Sequence, residues 1–289
     1  MEIVCIKDQN FDAERALYHL TNAQVYRCHF AGPRDGESAL KEARGIEVRE
    51  CTFSLRYPFW HTKGFVILNS KMDEKTRAPI WYAEDGVIES CEINGIKCLR
   101  ECKAISIVNS TIISPEFGWR CSDISIQNSK IESEYFLFEC QNISADGLRM
   151  KGKYSFQYVK NLEIRNSHLD TKDAFWHAKN VTVYDSVIKG EYLGWYSENL
   201  TLVRCCIEGT QPLCYCKNLK LIDCTTVGCD LSFEYSDVEA NIIGSIDSVK
   251  NPHTGYITAD AIEKIVLEDS VMETDCMITD RSKGLCNKK

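Results

Sequence analysis

Three ionisable side chains recur at one fixed interval and are the first candidates for chemistry. Glu101, Arg120 and Glu139 recur at every nineteenth position, and His177 lies two further intervals along the chain. Paired carboxylates carry out the acid and base steps of glycoside hydrolysis, and histidine transfers protons near neutral pH. These four residues are therefore the candidate catalytic residues. Because an arginine between two carboxylates lowers their pKa values, a salt-bridge ladder is the simpler explanation of the first three.

The same interval carries aromatic and polar side chains suited to binding a ligand. Aromatic rings flanked by hydrogen-bonding groups fit sugar rings, although stacked rings also stabilise neighbouring rungs of a parallel sheet. Both explanations stay open from sequence alone. The candidate binding residues are Tyr158, His177, Tyr196, Tyr215, Glu234, Trp176 and Trp195.

The residues around these candidates repeat with a strict period. Segments beginning at Lys160, Lys179 and Glu198 each start with a polar residue, an asparagine and an alternating apolar strand, and they recur at the same interval. The period holds from Glu84 to Ser236 without an apparent insertion or deletion and is looser before Glu84. Such a period is typical of solenoid proteins, in which each coil packs only against its neighbours.

Coil positions are numbered here from the first residue of each repeat, so that Lys103 is position one of its coil. Positions three, five and ten are apolar, as at Ile105, Ile107 and Ile112, which predicts two short strands with one buried face. An Asn-Ser pair at residues 109–110 marks the bend between them. Asparagine tolerates left-handed backbone angles, and its amide bonds the equivalent residue one rung away, so we expect asparagine ladders at the corners.

The second half of each coil is rich in aromatic residues and glycine, which predicts a third strand. Coil position eighteen, which lies in this strand, contains all the candidate catalytic residues and most of the candidate binding residues. The sequence leaves open which side chains of this strand face outward. If it is extended, positions sixteen and eighteen share one face because side chains alternate along a strand.

The predicted fold class is all-β: a right-handed, single-stranded parallel β-helix of about twelve coils with capped ends. The handedness follows from the rule for crossover connections between parallel strands. A leucine-rich repeat is the main alternative, but its repeats have roughly 20 to 29 residues and often contain a helix. We predict a partly helical N-terminal cap at residues 1–20, the β-helix at residues 21–249, and a C-terminal coil, cap and mobile tail at residues 250–289.

The sixteen cysteines do not show a metal-binding pattern. Cys102, Cys121 and Cys140 share position nineteen, and Cys214 and Cys216 are two residues apart, but the spacing of a four-ligand zinc site is absent. A free cysteine behaves as a small apolar residue that packs well in a narrow core. We therefore predict buried thiols, no metal site and no cofactor.

Composition and the N-terminal sequence restrict the class of protein. The net charge of −8 and the pI of about 5.4 argue against nucleic acid as a partner. No apolar run is long enough to cross a membrane, and the N-terminus lacks the basic and apolar regions of a secretory signal. We expect a cytoplasmic protein with reduced thiols. Its candidate partners are a carbohydrate-like ligand, another protein, or further copies joined through the solenoid ends or a face.

Four segments of the chain resemble an uncharacterised bacterial family. They are Arg77-Ala-Pro-Ile-Trp-Tyr, Lys151-Gly-Lys-Tyr-Ser-Phe-Gln-Tyr, Leu169-Asp-Thr-Lys-Asp-Ala-Phe-Trp-His and Gly209-Thr-Gln-Pro-Leu-Cys-Tyr. The chain is similar over nearly its whole length to domain-of-unknown-function family 3737, which is grouped with pectin-lyase-like right-handed β-helix proteins. The resemblance implies the fold and supplies no catalytic residues.

The functional expectation combines the fold with the aromatic and polar side chains of the third strand. We expect an intracellular β-helix whose aromatic and polar face binds a carbohydrate-like small molecule or a protein. A carbohydrate-active lyase or glycoside hydrolase of pectin-lyase-like fold is the first alternative. A structural or self-associating scaffold is the second.

Overall fold

The computed structural model describes residues 3–32 and 37–286 of the chain. In these residues all regular secondary structure is β, arranged as a parallel β-solenoid of about 14 turns with no helix. The chain divides into two compact units, residues 1–149 and residues 150–289. The predicted tail at residues 288–289 lies outside the described residues.

The first unit contains strands β1 to β18. They are β1 (Val4–Lys7), β2 (Asn10–Phe11), β3 (Thr21–Tyr26), β4 (His29–Phe30), β5 (Arg44–Arg49), β6 (Thr52–Phe53), β7 (Lys63–Leu68), β8 (Lys71–Met72), β9 (Ile80–Trp81), β10 (Glu84–Glu89), β11 (Glu92–Asn94), β12 (Leu99–Arg100), β13 (Lys103–Val108), β14 (Thr111–Ile113), β15 (Glu116–Trp119), β16 (Ser122–Gln127), β17 (Lys130–Phe138) and β18 (Gln141–Asp146).

The second unit contains the remaining strands, of which β19 begins with the last residue of the first unit. They are β19 (Arg149–Ser155), β20 (Lys160–Arg165), β21 (His168–Lys172), β22 (Lys179–Tyr184), β23 (Val187–Lys189), β24 (Glu198–Val203), β25 (Cys206–Glu208), β26 (Leu219–Val227), β27 (Asp237–Lys250), β28 (Thr254–Val266), β29 (Met277–Asp280) and β30 (Gly284–Leu285).

Successive coils stack in parallel and in register, as the repeat predicts. In the first unit β13 pairs with β16, so that Ile105 lies opposite Ile124 and Ile107 opposite Ile126, all of them buried. In the second unit β22 pairs with β24 in the same way. Because equivalent positions face each other on every rung, the core of each unit consists of columns of identical or similar apolar side chains.

A ladder of asparagine amides stabilises the corner that precedes each first strand in the second unit. Asn180, Asn199 and Asn218 have φ angles of 56°, 56° and 50°. The side-chain amide of Asn199 donates to Oδ1 of Asn180 at 2.8 Å, and that of Asn218 donates to Oδ1 of Asn199 at 2.8 Å. The predicted asparagine ladder is confirmed at this corner, where left-handed backbone angles favour asparagine over most other residues.

Serine hydroxyls stabilise the bend between the first and second strands. The Cys91 amide donates to Oγ of Ser110 at 3.1 Å, and the Ser110 amide donates to Oγ of Ser129 at 3.1 Å. Each hydroxyl also donates to a carbonyl two residues earlier, as Ser110 does to Val108 at 2.9 Å. These buried hydroxyls satisfy backbone groups that the bend leaves without strand partners, so their role is structural.

The third side of the coil differs from the predicted strand. Short strands occur there in the first unit, as in β12 and β15, but the second unit has turns between residues 173 and 177. Asp173, Phe175 and His177 have φ angles of 51°, 61° and 54°. Phe175 is buried, whereas Trp176 is half-buried and His177 is exposed. The expectation that positions sixteen and eighteen share a face is therefore wrong, because alternating left-handed residues remove the strand's two-residue alternation.

The N-terminal segment corrects the prediction of a partly helical cap at residues 1–20. Its described residues form β1, β2 and turns. Phe11 lies in register with Phe30, and their rings stack with centroids 5.0 Å apart. The helical cap was predicted from the spacing of the apolar residues Phe11, Leu17 and Leu20, which are half-buried in this coil and lie in no helix.

Parallel pairing also extends further along the chain than residues 21–249. It begins with β1, which pairs with β3, and continues from β27 through β28 to β29. The two ends therefore contribute coils of their own. This explains why about 14 turns are found where about twelve were predicted.

The asparagine ladder generates a stability prediction. We expect Asn199→Ala to lower the free energy of unfolding by about 2 kcal/mol, because it removes two amide hydrogen bonds and places alanine at a left-handed position. Asn199→Gly keeps the backbone angle accessible and should cost only about 1 kcal/mol. Urea unfolding of both variants separates the loss of the hydrogen bonds from the cost of alanine at a left-handed position. Equal stability of the wild type and the alanine variant would contradict a stabilising ladder.

Candidate functional site

Position eighteen forms an exposed corner of the coil. In the second unit its left-handed residues include His177, Tyr196 and Tyr215, with φ angles of 54°, 58° and 60°. The residue after each of them is buried, as at Ala178 and Ser197. We call Tyr158, His177, Tyr196 and Tyr215 the aromatic column.

The rings of the aromatic column stack on one another. Ring centroids are 4.9 Å apart between Tyr158 and His177, 5.1 Å between His177 and Tyr196, and 4.8 Å between Tyr196 and Tyr215. The angles between ring planes are only 7° to 13°. Most of each inner ring face is therefore covered by its neighbours. Tyr158 and Tyr196 nevertheless remain 45% and 47% exposed.

This surface offers several hydrogen-bond donors. Aromatic edges carry positive partial charge, and the tyrosine hydroxyls donate hydrogen bonds. Burial, together with nearby Glu234, raises the pKa of Tyr215, so its hydroxyl stays protonated at neutral pH. Exposed Lys160 and Lys217 occupy position one of the neighbouring coils, two residues beyond the column. The arrangement suits an oxygen-rich ligand, whose oxygens accept hydrogen bonds.

The two candidate tryptophans stabilise the adjacent rungs. Trp176 and Trp195 stack with centroids 5.5 Å apart and ring planes 6° apart. Their indole nitrogens donate to the carbonyls of Tyr192 and Gln211 at 2.7 Å and 2.8 Å. Both residues are half-buried, and their indole nitrogens are already bonded to the backbone. We therefore assign these tryptophans to the support of the column and not to a free binding surface.

Glu234 is not part of the column, which corrects the sequence assignment. The Tyr215 amide donates to the carbonyl of Glu234 at 2.7 Å, and the ring of Tyr235 is the one that follows Tyr215, at 5.7 Å. The Glu234 carboxylate instead pairs with Lys250 at 2.8 Å.

A compensated insertion causes this displacement. Glu208 faces Val227 at the regular interval, whereas Thr210 bonds Asp230, which lies one position beyond that interval, so one residue is inserted between the two pairs. Leu219 faces Val238, which restores the regular interval. Because the insertion and the later deletion cancel, the sequence interval alone hides the shift.

The charged candidates of the first unit form an ion pair. Nε of Arg120 lies 2.8 Å from Oε2 of Glu139, and this bond raises the pKa of Arg120. Glu101 is 3.7 Å from Nε of Arg100, its chain neighbour. All three position-eighteen side chains are exposed. The structure therefore favours a surface salt bridge here, and no feature of this column supports the acid and base pair of a glycosidase.

A concave site of about 370 Å³ lies at the same corner of the first unit. The rings of His61 and Tyr82 stack there with centroids 4.9 Å apart, and Nζ of Lys63 lies 2.8 Å from Oε2 of Glu84. That bond lowers the pKa of Glu84 and raises that of Lys63. The polar residues that line this concave site include Glu42, Arg44, His61, Lys63, Tyr82 and Glu84.

Sequence reasoning missed most of this concave site for one identifiable reason. The coils that end before Arg44 and Glu84 are longer than the regular repeat, so Glu42 and Tyr82 do not fall on the repeat interval. Both residues lie two positions before the next first strand, as His61 and Glu101 do. Counting back from strand starts instead of forward by a fixed interval would have found them.

The cysteines are free, and most are buried. Burial raises the pKa of Cys51 to about 12 and that of Cys91 to about 11, which keeps both thiols neutral. Within residues 3–32 and 37–286, no cluster of three or more His, Cys, Asp or Glu side chains is arranged to hold a metal ion. The described part of the chain also has no helix that is long and apolar enough to span a membrane.

Comparison with known proteins identifies the family. A family described as protein of unknown function DUF3737 matches residues 4–279. The chain belongs to this family. No curated protein matches the DUF3737 chain.

Several solved structures are similar to this DUF3737 protein at low sequence identity. The surface adhesin PfbA of Streptococcus pneumoniae has 10% identity and a TM-score of 0.42, covering 80% of this chain and 72% of the adhesin. The A-module of the Azotobacter vinelandii mannuronan C-5 epimerase AlgE4 has 10% identity and a TM-score of 0.39, covering 96% and 90%. The catalytic domain of a GH87 alpha-1,3-glucanase has 10% identity and a TM-score of 0.31, covering 97% and 64%.

The burial of the thiols generates a prediction of their reactivity. In the folded protein we expect DTNB to react fast with only Cys5 and Cys286, the two exposed cysteines, and more slowly with half-buried Cys206. In denaturant, all sixteen thiols should react without prior reduction. The variant Cys5→Ser/Cys286→Ser, the control, should lose the fast phase. Fewer reactive thiols in the denatured protein would reveal disulfides and contradict the prediction.

Proposed function

We propose that this DUF3737 protein binds an oxygen-rich, polyhydroxylated ligand of the carbohydrate type at its exposed corner. The aromatic column of the second unit provides the main contacts. The observation that supports this most directly is the exposure of Tyr158, His177 and Tyr196 on consecutive rungs while their rings are stacked on one another.

The column is rigid, which lowers the entropic cost of binding. Its backbone is fixed by inter-rung hydrogen bonds, such as the one from the His177 amide to the Trp195 carbonyl at 3.0 Å. The rings of His177 and Tyr196 are held by stacking on both faces. Since little side-chain freedom remains to be lost, each new hydrogen bond contributes most of its energy to affinity.

The regular spacing favours a linear ligand. Adjacent rings of the column are 4.8 to 5.1 Å apart, so donor groups recur at nearly equal intervals along it. A chain of similar monomers lying along the column would repeat the same contact on successive rungs. Several weak, equivalent contacts then add to a useful affinity.

Substituting Tyr196 separates binding from stacking. Tyr196→Phe keeps the ring between His177 and Tyr215 and removes only the hydroxyl, so stability should stay near that of the wild type. Loss of one hydrogen bond should weaken binding about 3- to 10-fold. Tyr196→Ala also removes two stacking contacts and should lower stability by about 1 to 3 kcal/mol. Calorimetric titration with cellohexaose, maltohexaose and xylohexaose, alongside urea unfolding, measures both effects.

The same experiment can reject the proposal. If none of the three oligosaccharides binds the wild type, carbohydrate binding of these classes is excluded. If one binds and Tyr196→Phe binds it equally well, the aromatic column is only a structural ladder. Arg120→Gln serves as the matched control, because it changes an exposed position-eighteen residue in the first unit and should leave this binding unchanged.

A further inference from the structure

The first coil has an unpaired strand edge. Strand β1 pairs in parallel with β3 through residues 4 to 7, and the short strand β2 pairs with β4. On its other side, β1 has no partner strand in the described residues. An edge strand of this kind presents free backbone amides and carbonyls to another strand.

The same end exposes apolar side chains that are turned toward the coil interior. Val4 and Ile6 are in register with Ala23 and Val25, which are buried core residues, so both point inward. Val4 is nevertheless 48% exposed. Interior side chains left open at the end of a solenoid favour contact with another surface.

The C-terminal end of the second unit is closed by its own chain. Strand β30 turns back and pairs antiparallel with β29. The buried Asp280 accepts a hydrogen bond from the Ile262 amide at 3.0 Å and pairs with Lys283 at 2.8 Å. At the other end, Ile3, the described residue that precedes β1, is 60% exposed.

We propose that β1 pairs antiparallel with β1 of a second copy, joining two molecules by their N-terminal coils about a two-fold axis. In this arrangement Cys5 lies opposite Cys5 of the second copy, and Val4 lies opposite Ile6. The axis is perpendicular to the sheet, so interior side chains of both copies stay on the interior side. The interface is isologous and closes at two copies.

The side-chain pattern of β1 selects this register. Val4 and Ile6 flank Cys5 symmetrically, so pairing centred on Cys5 matches apolar residues with apolar residues. A slip of one residue would turn interior side chains of one copy outward, which strongly disfavours it. The centred register also uses the whole of β1 together with Ile3, which is 60% exposed.

Charge favours the same register. Asp8 already pairs with Arg27 at 2.6 Å, so Lys7 is the charged residue that β1 brings to the interface. Pairing centred on Cys5 places the two Lys7 residues opposite Ile3 at the two ends of the ribbon, about 14 Å apart. That separation exceeds the screening length of about 8 Å at physiological ionic strength. A register shifted toward Lys7 would bring the two ammonium groups together.

Cysteine cross-linking tests the register directly. Residues opposite each other in antiparallel strands have Cα atoms about 4.5 to 5.5 Å apart, within the range of disulfides. Diamide removes two hydrogens from two thiols, forming one disulfide while it is reduced to the hydrazine. We expect diamide to link the full chain into covalent dimers through Cys5, as shown by peptide mass spectrometry. Cys5→Ser should abolish these dimers.

Sedimentation velocity tests the association without cross-linking. The wild type should sediment as a dimer at micromolar concentration. Val4→Lys, which places a charge on the interior side of the unpaired strand, should sediment as a folded monomer with unchanged circular dichroism. Leu285→Lys, the matched control, adds the same charge to a 44% exposed residue of the closing hairpin and should remain dimeric.

Three results would overturn the proposal. The first is a wild type that stays monomeric across the micromolar range. The second is a disulfide between Cys5 and Cys286, which indicates head-to-tail association. The third is a Val4→Lys variant that is folded and still dimeric, which places the interface elsewhere.

Discussion

Left-handed backbone at the coil corners is the constraint on which the rest of this structure depends. A coil this short closes on itself only by turning sharply, and many of the turning residues are not glycine. Each such residue costs roughly 1 to 2 kcal/mol unless its side chain forms compensating bonds. Asparagine amides bonded from rung to rung, as at Asn180 and Asn199, provide that compensation at one corner. Because successive rungs then stack in register, the side chains at each coil position form a column.

The columns explain which parts of the fold could be predicted. Strand residues such as Ile105 and Ile124 repeat with a simple apolar alternation, and their stacking was predictable from the interval alone. The conformation of the third side could not be predicted in this way, because left-handed residues such as Phe175 and His177 direct their side chains independently of a strand's alternation. The N-terminal coil was misassigned since apolar spacing over a turn imitates a helix. A fixed repeat interval also hides an insertion that a later deletion cancels, as the displaced position of Glu234 shows.

Column geometry also changes what the candidate site residues can do. The sequence interval indicated that Tyr158, His177 and Tyr196 lie on successive rungs, and it left open whether they face outward. It could not indicate that their ring faces would cover one another, because this follows from the rung spacing and the side-chain angles. Stacking on a sugar ring is therefore restricted, which is why the proposed binding uses the ring edges and hydroxyl groups. In the charged column, the salt bridge between Arg120 and Glu139 agrees with the simpler of the two explanations that the sequence offered for these residues.

A solenoid separates the energetics of its side faces from those of its ends. Each inner rung is held by two neighbours, so an exposed corner side chain such as the Tyr196 hydroxyl can change with little effect on stability. A terminal rung has one neighbour, and its stability depends on what covers it. The second unit covers its C-terminal rung with a hairpin held by buried Asp280. Within the described residues of the first unit, β1 has one paired edge and exposed interior side chains, so the proposed second copy would bury apolar surface and extend the sheet. The proposed binding at the corner and the proposed association at the end would therefore vary independently, because they involve different rungs and different forces.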